Sequence, residues 1–288
     1  MKSLAIVNQK GGVGKTTVVL GLAAAAWAAG RRCVVIDLDP QGNATSGLGL
    51  WDIQPNVETA LAADRPGALT EVLVPATWQS SRTVHRDGFD EVVPTAVPLV
   101  APSSPALAVR EPQLANDPIG AQDRLAVTMQ GLDHDVVLID CPPSLGLLTV
   151  NGLFAADRAL VVTEPGAWAS DGVGQIVRTV GRVATRRPTP LELAGIAVNR
   201  LGRTRDARYW HEQLVDEYPE QCFAPIHLRA ALPEAAAQSL PIHALGARPG
   251  APEAAAEFDE LFSVLFPEET PAAESPAATP FQAGAHGV

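Results

Sequence analysis

The chain has 288 residues, of which 47% are apolar, so it can bury a core of ordinary size. Its formal net charge of −11 argues against a surface that is uniformly suited to nucleic acid. The apolar runs are shorter than the ~18 to 20 residues that a membrane span requires, and the three cysteines lack C-x-x-C spacing. We therefore expect no membrane span, disulfide or cysteine-bound metal.

The first segment predicts a strand, a glycine-rich loop and a helix. The apolar run 4–7 favours a buried strand, and the Ala/Leu-rich run 18–29 favours a helix. Between them, the loop directs backbone N–H groups and the positive end of the helix dipole at one place, where phosphates can bind. We expect Lys15 to reach the β- and γ-phosphates and the Thr16 hydroxyl to ligate Mg²⁺. The predicted ATP ligands here are Gly11, Gly12, Val13, Gly14, Lys15, Thr16 and Thr17.

This loop departs from the general P-loop pattern at two positions. Gln9 stands where the pattern has glycine, and a second lysine, Lys10, has entered the loop. The departure resembles the deviant Walker A motif of the ParA, Soj and MinD family of ATPases. The resemblance implies an ATP-dependent homodimer in which Lys10 reaches the nucleotide of the partner, so Lys10 joins Lys15 as a candidate catalytic residue.

A second strand is predicted over 32–39, and it delivers Asp37 and Asp39 at its carboxyl end. Ligands bind at this end of the strands in open α/β sheets. The run 37–43 resembles the second motif of the same family, which implies that Asp39 polarises or positions the attacking water. From the residues alone, a carboxylate there can either orient water or hold Mg²⁺ through water.

A third strand, within 135–140, ends at Asp140 and is followed by two prolines that turn the chain out of the sheet. This is the Walker B arrangement, in which the carboxylate enters the coordination sphere of Mg²⁺. Thr16, Asp39 and Asp140 are therefore the predicted magnesium ligands. The segment 51–131 carries no recognisable chemistry, although it favours a strand at 89–94 and a helix over 121–130.

The rest of the chain continues the alternation of strands and helices. The expected elements are a strand at 159–163, a helix at 171–187, a strand at 193–198, a helix at 204–217, a short strand at 222–226 and an amphipathic helix containing Phe258, Leu261, Phe262 and Leu265. Asn199 resembles the base-reading position of related ATPases. Pro225 opens a stretch that resembles the family's Pro-Arg-Asn-x-Arg pattern, so both residues are expected to contact adenine.

These units predict an α/β fold with a doubly wound, mostly parallel sheet flanked by helices. The resemblance covers residues 3–266, and we expect a single ATPase domain over 1–266. The segment 267–288 is rich in Pro and Ala and is expected to be a disordered tail.

Arginines are concentrated in one part of this acidic chain. Eight arginines and two acidic residues lie between Gly172 and His211, and a cluster of this kind can bind DNA phosphates without sequence preference. An ordinary solvated basic face is the alternative interpretation. The candidate DNA-binding residues are Arg178, Arg182, Arg186, Arg203, Arg205 and Arg229.

The resemblance implies a slow ATPase of the cytoplasm and nucleoid that binds double-stranded DNA nonspecifically and is stimulated by a ParB-like partner. Two departures count against DNA: the 204–217 helix ends in acidic residues, and only the second arginine of the Pro-Arg-Asn-x-Arg pattern is present, as Arg229. The alternatives are a MinD-like ATPase, which requires a basic C-terminal helix that the sequence lacks, and a metabolic enzyme on the same scaffold.

Overall fold

The computed structural model describes residues 2–86 and 89–268. Within these ranges, strands and helices alternate as the sequence predicts. The strands are β1 (Lys2–Val7), β2 (Cys33–Asp37), β3 (Val74–Pro75), β4 (Ser81–Arg86), β5 (Phe89–Pro94), β6 (Leu99–Ala101), β7 (Val136–Asp140), β8 (Arg158–Thr163) and β9 (Glu192–Val198). The helices are α1 (Lys15–Ala28), α2 (Asn43–Gly47), α3 (Val57–Ala63), α4 (Leu107–Ala115), α5 (Arg124–Thr128), α6 (Leu147–Ala155), α7 (Ala169–Ala184), α8 (Arg205–Glu217), α9 (Ala231–Ala237) and α10 (Ala251–Leu265).

The main sheet has the strand order β3-β6-β2-β7-β1-β8-β9. All neighbouring pairs are parallel except β3 with β6. The pairing register places Asp37 at the end of β2 opposite Asp140 at the end of β7, and Asp140 also pairs with Ile6 of β1. The predicted fold class is confirmed, and three strand ends that carry candidate ligands meet at one edge.

Each face of the sheet is covered by helices, because alternate strand residues point to opposite sides. Leu4 and Ile6 of β1 pack with α1 and α10, whereas Ala5 and Val7 pack with α6 and α7. The four apolar residues predicted to anchor the C-terminal helix are all buried, namely Phe258, Leu261, Phe262 and Leu265. The α10 helix therefore closes the core over α1.

Several predicted boundaries differ from the structure. The helix expected over 171–187 ends at Ala184, and the helix expected over 121–130 is confined to Arg124–Thr128. The strand at 89–94 forms, but it pairs with β4 in a separate hairpin. The 222–226 segment makes only an isolated bridge, between Cys222 and Ile196. Of the expected 267–288 tail, residues 269–288 lie outside the described residues.

Candidate functional site

The glycine-rich loop joins β1 to α1 in the conformation that its glycines permit. Gly12 and Gly14 have φ values of 83° and 87°, in the left-handed region that glycine adopts without strain. The α1 helix begins at Lys15, three residues before the predicted start. Burial lowers the pKa of Lys15, whose side chain lies near the carboxylates of Asp140 and Asp39. A buried ammonium group is thus held at the N-terminus of a helix, where an anion is stabilised.

Asp140 and Thr16 lie together beneath this loop. The Thr16 hydroxyl donates to Asp140 Oδ2 at 2.8 Å, and Asp140 Oδ1 is buried with no hydrogen-bond partner among the described residues. The pKa of Asp140 is raised well above its usual value, first by burial and then by the neighbouring carboxylate of Asp37. A hydroxyl and a buried carboxylate oxygen without a partner fit a hard divalent cation such as Mg²⁺. When bound, Mg²⁺ supplies charge neutralisation for the phosphate oxygens.

Asp39 lies at the rim of the site, while Asp37 supports it from within. Asp37 Oδ1 accepts from the Asp39 N–H at 3.1 Å, and Asp37 Oδ2 accepts from the N–H and the hydroxyl of Thr45 at 2.8 and 2.7 Å. Burial raises the pKa of Asp37 to about 6, although the Thr45 and Asp39 donors oppose the shift. Asp39 as a residue is 8% exposed, and its carboxylate accepts from the Gln41 N–H at 3.0 Å.

Two residues of this support were not predicted. The hydroxyl of Ser103, at the end of β6, donates to the backbone carbonyl of Asp39, and the Ser103 N–H donates to the Thr45 hydroxyl at 2.8 Å. Ser103 therefore ties the loop after β2 to β6. No local motif marks Ser103 or Thr45 in the sequence, because their contacts depend on the pairing of β2 with β6.

A cavity of about 860 Å³ opens above these groups. Its wall contains Asp39 and most of the predicted nucleotide ligands, namely Gly11, Gly12, Gly14, Lys15, Thr16, Thr17 and Asn199. Val13 and Asp140 are buried. Pro225 is absent from the wall as far as the structure describes it, and His227 to Arg229 occupy that side.

Asn199 faces the loop rather than standing apart from it. Its amide nitrogen donates to the carbonyls of Val13 and Gly14 at 3.0 and 3.3 Å. A Cβ on Gly14 would lie 2.1 Å from that nitrogen, so the close approach requires glycine. Asn199 Oδ1 is buried, and no described group hydrogen-bonds to it. Only this oxygen remains for a donor on a base, and adenine contact by Asn199 stays a prediction.

Lys10 lies on the outer side of the loop. Its side chain is 69% exposed, and its ammonium forms a 2.8 Å ion pair with Glu164. Both residues border a smaller cavity of about 270 Å³ together with the exposed Trp168. Lys10 therefore lies away from the large cavity, and its role toward a partner's nucleotide stays a prediction.

The candidate DNA-binding arginines come from three different segments of the structure. Arg178 and Arg182 are on the exposed side of α7, and Arg186 follows its end. Arg203 and Arg205 lie at the start of α8, a helix of 13 residues whose length is about 20 Å. The other end of α8 contacts α7, where Glu217 accepts from the Ser170 hydroxyl.

Arg229 is placed differently from the other five arginines. It lies in the wall of the large cavity and forms an ion pair with Glu257 of α10. Glu257 also accepts from the His227 N–H at 3.0 Å, so Arg229 helps to fix the segment after β9.

Residues 2–86 and 89–268 contain no group of three or more His, Cys, Asp or Glu side chains that could hold a metal ion. A magnesium site here would combine the Thr16 hydroxyl and the Asp140 carboxylate with ligands from outside the chain, such as phosphate oxygens and water. In the same ranges, no helix combines the length and apolar character needed to cross a membrane.

Comparisons with known proteins agree with this geometry. A family model described as an AAA domain matches residues 1–193. The chromosome partitioning protein ParA of Myxococcus xanthus is 35% identical over 228 residues, which cover 77% of this chain and 74% of that protein. The sporulation initiation inhibitor protein Soj of Bacillus subtilis is 35% identical over 204 residues, covering 69% and 73%.

A solved structure of a protein with a different name is also similar to this chain. Cobyrinic acid a,c-diamide synthase from Mycobacterium smegmatis, solved with a bound ATP analogue and magnesium, matches with a TM-score of 0.67 and 33% identity. The match covers 83% of this chain and 91% of that one. The chain belongs to the ParA and Soj family and is an ATPase whose cofactors are ATP and Mg²⁺.

Proposed function

We propose that this ATPase dimerises when it binds ATP and Mg²⁺, binds DNA nonspecifically as the dimer, and releases it on hydrolysis to segregate or position DNA or another cargo. The observation that carries the proposal is the difference between two sets of arginines. Arg124 and Arg229, which have structural positions, form ion pairs with carboxylates. Arg178 and Arg182 are exposed and form no salt bridge with any carboxylate in the described part of the chain.

Unpaired and exposed guanidinium groups are free to neutralise phosphates. Nonspecific DNA affinity comes from such contacts and from the release of counterions, and it does not require a positive net charge on the whole protein. On α7, Arg178 and Arg182 are four residues apart and lie on the side opposite the buried Val173, Ile176 and Val180. Arg186 continues this row beyond the helix end, which makes α7 the first candidate surface for DNA.

The proposed chemistry divides the tasks among residues at the strand ends. Lys15 neutralises the β- and γ-phosphates, and the loop N–H groups hold their oxygens. Thr16 and Asp140 hold Mg²⁺, and Asp39 orients the attacking water from the rim of the cavity. Lys10 completes the site of the partner protomer. Turnover is slow until a ParB-like protein stimulates it, and the protein resides in the cytoplasm at the nucleoid.

The proposal is tested by binding to random-sequence duplex DNA over a salt series. The full chain is measured without nucleotide, with ADP and Mg²⁺, and with ATP and Mg²⁺, while its oligomeric state is followed by light scattering. We expect dimers and salt-sensitive DNA binding with ATP only.

Two other results would contradict parts of this proposal. DNA binding that is equal in all nucleotide states would contradict the proposed coupling to ATP. ATP-dependent dimers without DNA binding would leave the switch in place but would indicate a protein, a membrane or a small-molecule substrate in place of DNA.

A further inference from the structure

Two consecutive residues after β9 hold three consecutive carbonyls of the glycine-rich loop. The Arg200 guanidinium donates to the Gly12 carbonyl at 2.7 Å. The Asn199 amide donates to the carbonyls of Val13 and Gly14. These residues are separated by about 186 positions in the sequence. The loop is thus braced from a neighbouring element and not by its own residues alone.

Holding a carbonyl also fixes the N–H group of the same peptide. The peptide unit is planar and trans, so its C=O and N–H point in opposite directions. The bonds to Gly12, Val13 and Gly14 therefore orient the N–H groups of Val13, Gly14 and Lys15. The Gly14 carbonyl additionally accepts from Val18 of α1 at 3.0 Å, which ties this orientation to the start of the helix.

The backbone of Arg200 departs from the common conformations. Its φ is 58°, a left-handed value that side chains rarely adopt. The residue keeps this conformation while its guanidinium reaches Gly12 and lies 3.8 Å from Glu164. Glu164 uses its other oxygen to bind Lys10. The Glu164 carboxylate thus contacts both Arg200, which holds the loop, and Lys10, the exposed lysine of the loop.

We propose that Arg200, with Asn199, is a positioning residue for the ATPase reaction, which sets the loop N–H groups in the phosphate-binding orientation before ATP arrives. Glu164 keeps the Arg200 guanidinium in place. Loop N–H groups that already have the binding orientation need no reorientation when the ligand binds. Loss of the Arg200 side chain should remove this advantage and weaken binding of the phosphate chain. Because these donors serve substrate and transition state alike, the loss raises KM and leaves kcat nearly unchanged.

Arg200→Gly is the best test, because glycine accepts the left-handed conformation and the variant removes only the side chain. We expect the Kd of the full chain for ADP and Mg²⁺, measured by calorimetry, to rise about tenfold. KM for ATP should rise similarly, with kcat within about twofold. Arg200→Lys, which keeps a long cationic donor, should recover most of the affinity.

Arg65→Ala is the matched control. Arg65 is 52% exposed and paired with Glu71, and Arg200 is 49% exposed and paired with Glu164, so both substitutions remove one half-exposed paired charge. An unchanged Kd in Arg200→Gly would overturn the proposal. So would an equal rise in Arg65→Ala, which would indicate net charge, or a loss of kcat with constant KM, which would place Arg200 in the chemical step.

Discussion

Two charged regions of the molecule differ in burial: the edge of the sheet around Lys15 and Asp140, here called the nucleotide edge, and the arginine surface of α7, formed by Arg178, Arg182 and Arg186. At the nucleotide edge, Lys15, Asp37 and Asp140 are buried, and residues distant in sequence hold the loops around them. On α7, Arg178 and Arg182 are exposed and form no salt bridge with a carboxylate among the described residues. The first region therefore depends on exact geometry, whereas the second depends on the density of charge. Two kinds of experiment should separate the regions. Single substitutions at the nucleotide edge should change ATP binding or turnover, whereas binding of DNA to the arginine surface should depend on the salt concentration.

The largest effect is expected for Lys15→Ala. The variant removes the buried ammonium group that lies nearest the predicted phosphate position, and the remaining carboxylates of Asp39 and Asp140 would repel ATP. We expect the affinity for ATP and Mg²⁺ to fall by about 1000-fold or more, equivalent to about 4 kcal/mol. Calorimetric titration measures it, and a thermal unfolding scan confirms that the variant is folded.

Retained ATP affinity in a folded Lys15→Ala variant would contradict the phosphate-binding interpretation of the loop. The buried ammonium group of Lys15 would then have only a structural role. The nucleotide edge would no longer differ from the arginine surface by its dependence on a single buried charge.

Asp39→Ala should separate binding from turnover within the nucleotide edge. The phosphate-binding groups remain, so ATP should bind and the dimer should persist. Loss of the carboxylate that orients water should lower kcat by about 100-fold or more. Phosphate release over time measures turnover, and light scattering follows the dimer. Hydrolysis at the wild-type rate would remove Asp39 from the mechanism and leave it as a loop residue.

The sequence predicts the nucleotide edge well because its motifs are local. The loop around Lys15 and the strand ends at Asp39 and Asp140 each follow a short apolar run, and parallel strands bring such ends together. The sequence does not reveal that Ser103 and Arg200 support these residues, because their contacts arise from strand order and from a left-handed turn.

The arginine surface is predicted less well. Periodicity places Arg178 and Arg182 on one face of α7, as the structure shows, but cannot give their distance from Arg203 and Arg205 at the far end of α8. The resemblance to the Pro-Arg-Asn-x-Arg pattern adds Arg229 to the candidates, whereas the structure pairs Arg229 with Glu257 in the cavity wall. Ion pairs between distant segments are invisible to local pattern, and so is the distinction between a paired and an unpaired arginine.

Reversing the charge of the α7 arginine surface should weaken DNA binding without changing the affinity for ATP. With Arg178, Arg182 and Arg186 all changed to Glu, we expect a loss of about 10- to 100-fold at moderate salt. The dependence of log affinity on log salt should become shallower by about two to three. ATP affinity measured in parallel should equal that of the wild type.

A control with the same change in net charge replaces Arg32, Arg65 and Arg248 by Glu. These arginines are 51%, 52% and 59% exposed and are already paired with carboxylates. An equal loss of DNA binding in this control would indicate a general effect of charge, and unchanged binding in the α7 variant would leave that surface an ordinary solvated face.

The smallest effect expected is a gain of stability in Asp140→Asn without nucleotide. Asn keeps an acceptor for the Thr16 hydroxyl, and it removes a buried charge whose oxygen has no described partner. An unpaired buried amide costs less than an unpaired buried carboxylate, so we expect the free energy of unfolding to rise by about 1 to 2 kcal/mol at neutral pH. Urea unfolding measures this change.

The pH dependence of the free energy of unfolding tests independently whether Asp140 destabilises the folded protein. Since burial raises the pKa of Asp140 above 3.8, the folded protein keeps a proton that the unfolded chain releases. The contribution of Asp140 to the stability of the wild type should therefore fall as pH rises from about 4, and Asp140→Asn should lack this contribution. A variant less stable than the wild type at neutral pH would show that the carboxylate stabilises the fold. Asp140 would then have a structural role in addition to its proposed role in binding Mg²⁺.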